Sequence, residues 1–228
     1  MNLITIDPSI NNTAIIVNGK IFCFTNKELM FSKTGKLTKW FELANPFVEY
    51  FPITYTKADD YSTNEILKLD IYHQIANTIV DVILMHCNSA EPFKVCIEGY
   101  SYNSAAGPII DLVTFSTLLR YKLYEHTEDI TVISPTSLKH EAAKLTYPAI
   151  RKGKKVIKYE YRNHQGIAGG SFTKTDIFYA LIENNNLQGE WVNFLRAYKK
   201  EITNNKVIAK PLEDINDAEL MYRIYENR

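Results

Sequence analysis

Four carboxylates in three separated places have the types and spacing to bind a divalent cation. Asp7 closes the run Leu3-Ile4-Thr5-Ile6, and Glu98 closes a second run, Phe93-Lys94-Val95-Cys96-Ile97. Asp214 and Asp217 stand three residues apart at the start of a helix-like stretch, so they face the same way, one turn apart. A carboxylate at the end of a buried strand is held by the sheet yet can still reach solvent. Brought together, the four make an oxygen-rich pocket of the kind that suits Mg²⁺ or Mn²⁺. Each acid also has an ordinary explanation. Asp7 before Pro8 suits a turn, and Asp214 and Asp217 suit the positive end of a helix dipole. Glu98 is the least ordinary, because unpaired acids rarely border a core.

Strands at about 2–7, 13–18 and 21–25 are predicted from their apolar, β-branched runs, with Asn18-Gly19 as the hairpin turn between the second and third. Residues 26–62 are aromatic-rich and broken by Pro46 and Pro52. They read as an elaborated loop with a short helix near 37–44 and an extended piece near 53–56. Ser62 and Glu65 have capping-box spacing ahead of a long helix at 63–87. A strand at 93–98, a helix at 108–126, a strand at 130–134 and a helix at 137–145 follow. The segment 147–170 is basic and ends in glycines that suit flexibility; helices at 174–186 and 214–226, with an irregular stretch between them, complete the chain. Antiparallel strands first and βα units afterwards predict an α/β fold, with a mixed sheet flanked by helices. Function in such sheets gathers at strand ends near the middle. Asp7 and Glu98 meet there if the first and fourth strands are neighbours.

The composition, 46% apolar and 12% aromatic, is that of a globular chain, expected to form one domain over 1–228 with insertions at about 26–62 and 147–170. No uninterrupted apolar run approaches the roughly 20 residues of a membrane span, and the N-terminus lacks signal-peptide character. Cys23, Cys87 and Cys96 lack metal-ligand spacing and read as reduced thiols, so a cytoplasmic protein is expected. The 26 basic and 26 acidic residues cancel, but unevenly. Residues 139–162 carry eight lysines and arginines against two acids, a net of +6, whereas 212–228 carry a net of −3. Phosphate contact needs a positive surface rather than a positive protein. Arg151, Lys152, Lys154, Lys155 and Lys158 are the candidates for DNA contact, with a solvated loop as the plainer reading.

The segments Ile4-Thr5-Ile6-Asp7-Pro8-Ser9, Ile97-Glu98-Gly99-Tyr100, Ser134-Pro135-Thr136-Ser137-Leu138-Lys139 and Asp214-Ile215-Asn216-Asp217-Ala218 together resemble the RuvC-like Holliday junction resolvases of the RNase H-like superfamily, in particular their bacteriophage members. The four segments occur in the family's order and span nearly the whole chain. The resemblance implies an RNase H-like mixed five-stranded sheet. It also implies that Asp7, Glu98, Asp214 and Asp217 are metal-binding acids and that Lys139 and Lys174 are catalytic lysines. Tyr100 and Tyr102 would be the aromatics that contact bases; loop aromatics packed on the sheet are the plainer reading of both. Independently of any family, hydrolysing a phosphodiester requires an activated water and charge relief on the leaving oxygen. Two Mg²⁺ or Mn²⁺ ions about 3.5–4 Å apart do both, and a nearby lysine adds a mobile point charge.

The expected activity is therefore metal-dependent endonucleolytic cutting of branched DNA, chiefly four-way junctions, by paired symmetric nicks. A symmetric junction calls for a C2 homodimer, with the helix at 108–126 and Ser104, Ala105, Ala106 and Gly107 ahead of it as the candidate interface. A nuclease of broader taste, cutting forks, flaps or RNA–DNA hybrids, stays open, as does a noncatalytic DNA-binding scaffold of the same fold. If the chain is phage-encoded, its cytoplasm is that of an infected bacterial host. A sugar-kinase or actin-like ATPase would want glycine-rich phosphate loops after the strands, which Asp7-Pro8-Ser9 and Glu98-Gly99-Tyr100 do not supply.

Overall fold

The computed structural model describes residues 1–31, 37–100, 106–146, 149–159, 162–167, 172–204 and 207–226. Strands β1 (Asn2–Asp7), β2 (Asn12–Val17) and β3 (Lys20–Asn26) form an antiparallel meander. Asn18 and Gly19 turn its second hairpin with φ of 50° and 86°, the pair of residues best suited to positive φ at both turn positions. Two short helices, α1 (Lys27–Met30) and α2 (Thr38–Ala44), lead to β4 (Val48–Ile53), which runs parallel to β3. The long helix α3 (Tyr61–His86) crosses over to β5 (Phe93–Glu98), and α4 (Ala106–Tyr124) leads to β6 (Ile130–Ile133). β5 lies parallel to β1, and β6 parallel to β5. Then come α5 (Pro135–Thr146), a hairpin of β7 (Ala149–Lys152) and β8 (Lys155–Tyr159), α6 (Lys174–Glu183), α7 (Glu190–Ala197), α8 (Lys199–Thr203) and α9 (Leu212–Tyr225). The main sheet has the order β4-β3-β2-β1-β5-β6, a mixed six-stranded sheet in an α/β fold. Among the described residues no helix is long and apolar enough to cross a membrane. Cys23 and Cys96 are buried, Cys87 is half-buried, and none of the three is in a disulfide.

Period-two alternation divides the central strands between two cores. Ile4, Ile6, Ile15, Val17, Phe22, Phe24, Val95 and Ile97 face α3 and α4. Leu3, Ala14, Ile16, Ile21, Cys23 and Cys96 face the other way, into a core shared with α5, α6, α7 and α9. The C-terminal helix α9 is buried over most of its circumference. Its carbonyl at Ala218 accepts a 2.9 Å hydrogen bond from Thr5 Oγ1 of β1. Trp191 Nε1 of α7 donates to Asn216 Oδ1 at 3.0 Å, and Arg223 pairs with Glu219 one turn earlier at 2.8 Å.

Four features depart from the sequence expectations. The sheet has six strands rather than five, because Val48–Ile53 adds to the edge beside β3. Pro52 is tolerated there, an edge strand needing one fewer ladder donor. The cap of α3 is Asp60, whose side chain accepts from Thr63 N at 2.9 Å, rather than Ser62. The basic segment contains a hairpin turned at Gly153, with φ of 62°. Its short lysine-rich strands carry no apolar alternation to announce them. Finally, α7 and α8 occupy a stretch expected to be irregular, with Trp191, Val192, Phe194 and Leu195 forming the buried stripe of α7.

Candidate metal centre

β1 and β5 are adjacent and parallel, with Ile6 opposite Ile97, so both strands deliver their last residue to the same end of the sheet. Those residues are Asp7 and Glu98. Alternation turns both toward α9, since Ile6 and Ile97 face the opposite core. Both carboxylates are buried. From above, α9 contributes Asp217, which is wholly enclosed at 0% exposure. One carboxylate oxygen from each of Asp7, Glu98 and Asp217 lies within 4.8 Å of the others. A pocket of three buried carboxylates at that spacing can hold a metal ion.

Asp214, one turn earlier on α9, is turned elsewhere. Both of its oxygens accept from Lys210 Nζ, at 2.8 and 2.9 Å, and Oδ2 also accepts from Asn12 Nδ2 of β2 at 2.7 Å. Asn12 Oδ1 in turn accepts from Thr25 Oγ1 of β3. Asp217 contrasts with this well-partnered neighbour. Among the described residues no hydrogen bond reaches Oδ1, and Oδ2 meets only the ammonium of Lys174 in an ion-pair contact. A fully buried carboxylate left so incompletely partnered is costly in water-free surroundings, and a divalent cation bound by the three acids would relieve it. The all-oxygen donor set fits Mg²⁺ or Mn²⁺.

The electrostatics reflect crowding of like charge. Burial, and after it the neighbouring Glu98 carboxylate, hold Asp7 well above the usual carboxylate range; Lys174 and Lys210 pull it back. Asp214 is raised by burial and restrained by Lys210. Glu213, on the same first turn, is raised by burial and by Asp214, while Lys174, Lys210 and Lys139 act in the opposite direction. Burial works against the charge of Lys174, yet the carboxylates of Asp7 and Glu98 carry its pKa above the ordinary lysine value. Lys210 behaves alike, with Asp214 as its main counter-charge. Underneath, the buried thiol of Cys23 is pushed well up by its burial and by Asp214 and Asp7, so it stays protonated.

The structure thus brings together Asp7, Glu98, Asp217 and Lys174, with Asp214 adjoining through Lys210. Lys174 begins α6 behind a capping box of Thr173 and Asp176, so the helix start fixes the lysine's position. Lys139 sits on α5, half-buried, its charge felt by Glu213. Tyr100 is packed against α4, with the Arg120 guanidinium 4.5 Å from its ring centroid and Thr117 Oγ1 3.4 Å from its hydroxyl. Tyr102, Ser104 and Ala105 lie outside the described residues, as do the side chains of Ala106, Arg151 and Lys158; Gly107 stands in the first turn of α4. Lys152, Lys154 and Lys155 are exposed on the β7–β8 hairpin.

Sequence reasoning missed Lys210, Asn12 and Glu213. Asn12 carried a usable signal: it holds an α9-facing position of β2, in step with Ala14 and Ile16, where a polar side chain needs a buried partner. Lys210 precedes its helix, so no helical pattern marked it. The chain matches no protein-family model and no curated protein.

Proposed function

We propose that the protein is a metal-dependent endonuclease of RNase H-like type that cuts branched DNA, four-way junctions foremost. The observation that carries the reading is the buried triad of Asp7, Glu98 and Asp217 on two adjacent strand ends and a helix, with Asp217 left short of partners. Support for the fold type comes from the adjacency of β1 and β5 beside an antiparallel meander. Support for substrate class comes from the sequence resemblance and from exposed lysines on the hairpin.

The chain's own residues divide the work. Asp7, Glu98 and Asp217 would hold a Mg²⁺ or Mn²⁺ ion, which would supply Lewis-acid polarisation of a phosphoryl oxygen and a water of lowered pKa. Lys174, at the triad, offers its ammonium to the negative charge that builds on the phosphoryl oxygens as water adds and the P–O bond breaks. The sheet fixes Asp7 and Glu98 so that little reorganisation is required when substrate arrives. A symmetric pair of nicks calls for two such centres in a C2 dimer. α4 offers an exposed stripe of Ile110, Val113, Tyr121 and Tyr124 at helical spacing for that contact.

The test is cleavage of a synthetic four-way junction, a fork, an RNA–DNA hybrid and a linear duplex at one salt concentration. Mg²⁺- or Mn²⁺-dependent cutting that favours the junction is expected. Losing one ligand removes several kcal/mol of stabilisation, so Glu98→Gln should slow cutting by about 10³-fold while junction binding persists. Undiminished activity in excess EDTA would sink the metal assignment; equal rates on linear duplex would sink the junction preference.

A further inference from the structure

Asp214 and Asp217 are neighbours on α9 and both are buried, but their surroundings are opposite. Asp214 is chelated by the Lys210 ammonium through both oxygens and backed by Asn12, so three donor contacts occupy its lone pairs. Asn12 is itself fixed by Thr25, which makes the cradle part of the β2–β3 framework. Asp217 has one bare oxygen and one contact to Lys174. Lys174 also reaches Glu213 at 4.0 Å, a position to which its ammonium can shift when a cation takes the triad. Lys210, by contrast, places both of its hydrogen bonds among the described residues on Asp214.

We propose that the centre takes a single divalent ion, bound by Asp7, Glu98 and Asp217, and that Lys210 fills with a fixed ammonium the place on Asp214 where a second ion would bind. The inference rests on the metal-centre reading and sharpens its stoichiometry. The charge balance favours it. A second divalent ion at Asp214 would have to displace an ammonium that already holds both carboxylate oxygens. An ammonium, by contrast, meets Asp214 in hydrogen-bond geometry and needs no further ligands. Lys210 would then be a positioning residue that keeps Asp214 out of the coordination sphere and presents one positive charge beside the ion.

The test is titration of the purified full chain with Mn²⁺, with bound ions counted by calorimetry and by electron paramagnetic resonance, which separates isolated ions from spin-coupled pairs. One uncoupled ion per chain is expected for the wild type, for Lys210→Arg and for Asp214→Asn, and none at the same concentrations for Asp217→Asn. Lys210→Gln and Lys210→Met should each admit a second ion and give a coupled pair. Melting curves confirm that each variant is folded, and the two neutral variants guard against a failure of either. Two ions in the wild type, or loss of the ion in Asp214→Asn, would overturn the single-ion inference and leave the metal centre standing. So would one ion in both neutral Lys210 variants. No binding by the wild type would overturn the metal-centre reading itself.

Discussion

On the face of the sheet under α3 and α4, β1 offers Ile4 and Ile6, β3 offers Phe22 and Phe24, and β5 offers Val95 and Ile97. On the face under α9 the same strands offer Thr5, Asp7, Cys23 and Glu98, and β2 adds Asn12. The two faces differ by a one-residue step along each strand, yet one is apolar and the other holds a carboxylate cluster balanced by Lys174 and Lys210. The molecule divides its tasks between the two faces. The apolar face stabilises the fold in a way that is indifferent to pH and cations. The α9 face makes stability conditional on both, because its carboxylates are crowded and desolvated.

The largest effect belongs to the apolar face. Phe22 is fully buried between β3 and α3, and Phe22→Ala should cost about 3–5 kcal/mol. Denaturant unfolding should give the same loss with and without Mn²⁺; a metal-dependent loss would break the proposed division. Next comes the cation itself. At about 100 times its dissociation constant, Mn²⁺ should stabilise the wild type by about 2.7 kcal/mol, and Asp7→Asn should abolish that gain.

In EDTA, Asp7→Asn should instead be more stable than the wild type by about 1–3 kcal/mol, the scale of burying a poorly partnered polar group. It removes both the desolvated charge and its repulsion with Glu98. The corresponding pH dependence has a definite sign. Asp7, Asp214 and Glu213 are all raised in the fold. Their protonated forms therefore contribute stability that is complete below the unfolded carboxylate value of about 4 and is lost as pH rises through the folded values. Relative to Asp7→Asn, the metal-free wild type should weaken as pH rises above about 4, and the gain from Mn²⁺ should grow with it. A parallel pH profile for the two proteins would contradict this account. The smallest change is Thr25→Val, which removes the donor to Asn12 Oδ1 and should cost about 0.5–1.5 kcal/mol in unfolding experiments.

Much of this arrangement was legible in the sequence. The apolar runs ending in Asp7 and Glu98 placed two acids at strand ends, and the pairing of β1 with β5 then brought them to the same end of the sheet. Asn18-Gly19 announced its hairpin. The β7–β8 hairpin was not legible, since its strands lack apolar alternation. β4 was misplaced because Pro52 and the neighbouring aromatics blur the period of an edge strand.

What the sequence determined by itself was the inventory of the α9 face: strand-end acids, two acids one turn apart on a helix, and a lysine at the start of α6. Only the tertiary structure decided which helical acid joins the strand acids. Asp214 and Asp217 differ by about 60° around a helix axis and about 4.5 Å along it, so the rotation at which α9 docks decides which of them meets the strand acids. That rotation is set by distant partners, Thr5 on the Ala218 carbonyl and Trp191 on Asn216. Lys210 and Asn12 then claim Asp214, and Asp217 is left facing Asp7 and Glu98. Side-chain spacing along a chain fixes the angle between two residues, but only packing fixes the angle at which the helix presents them.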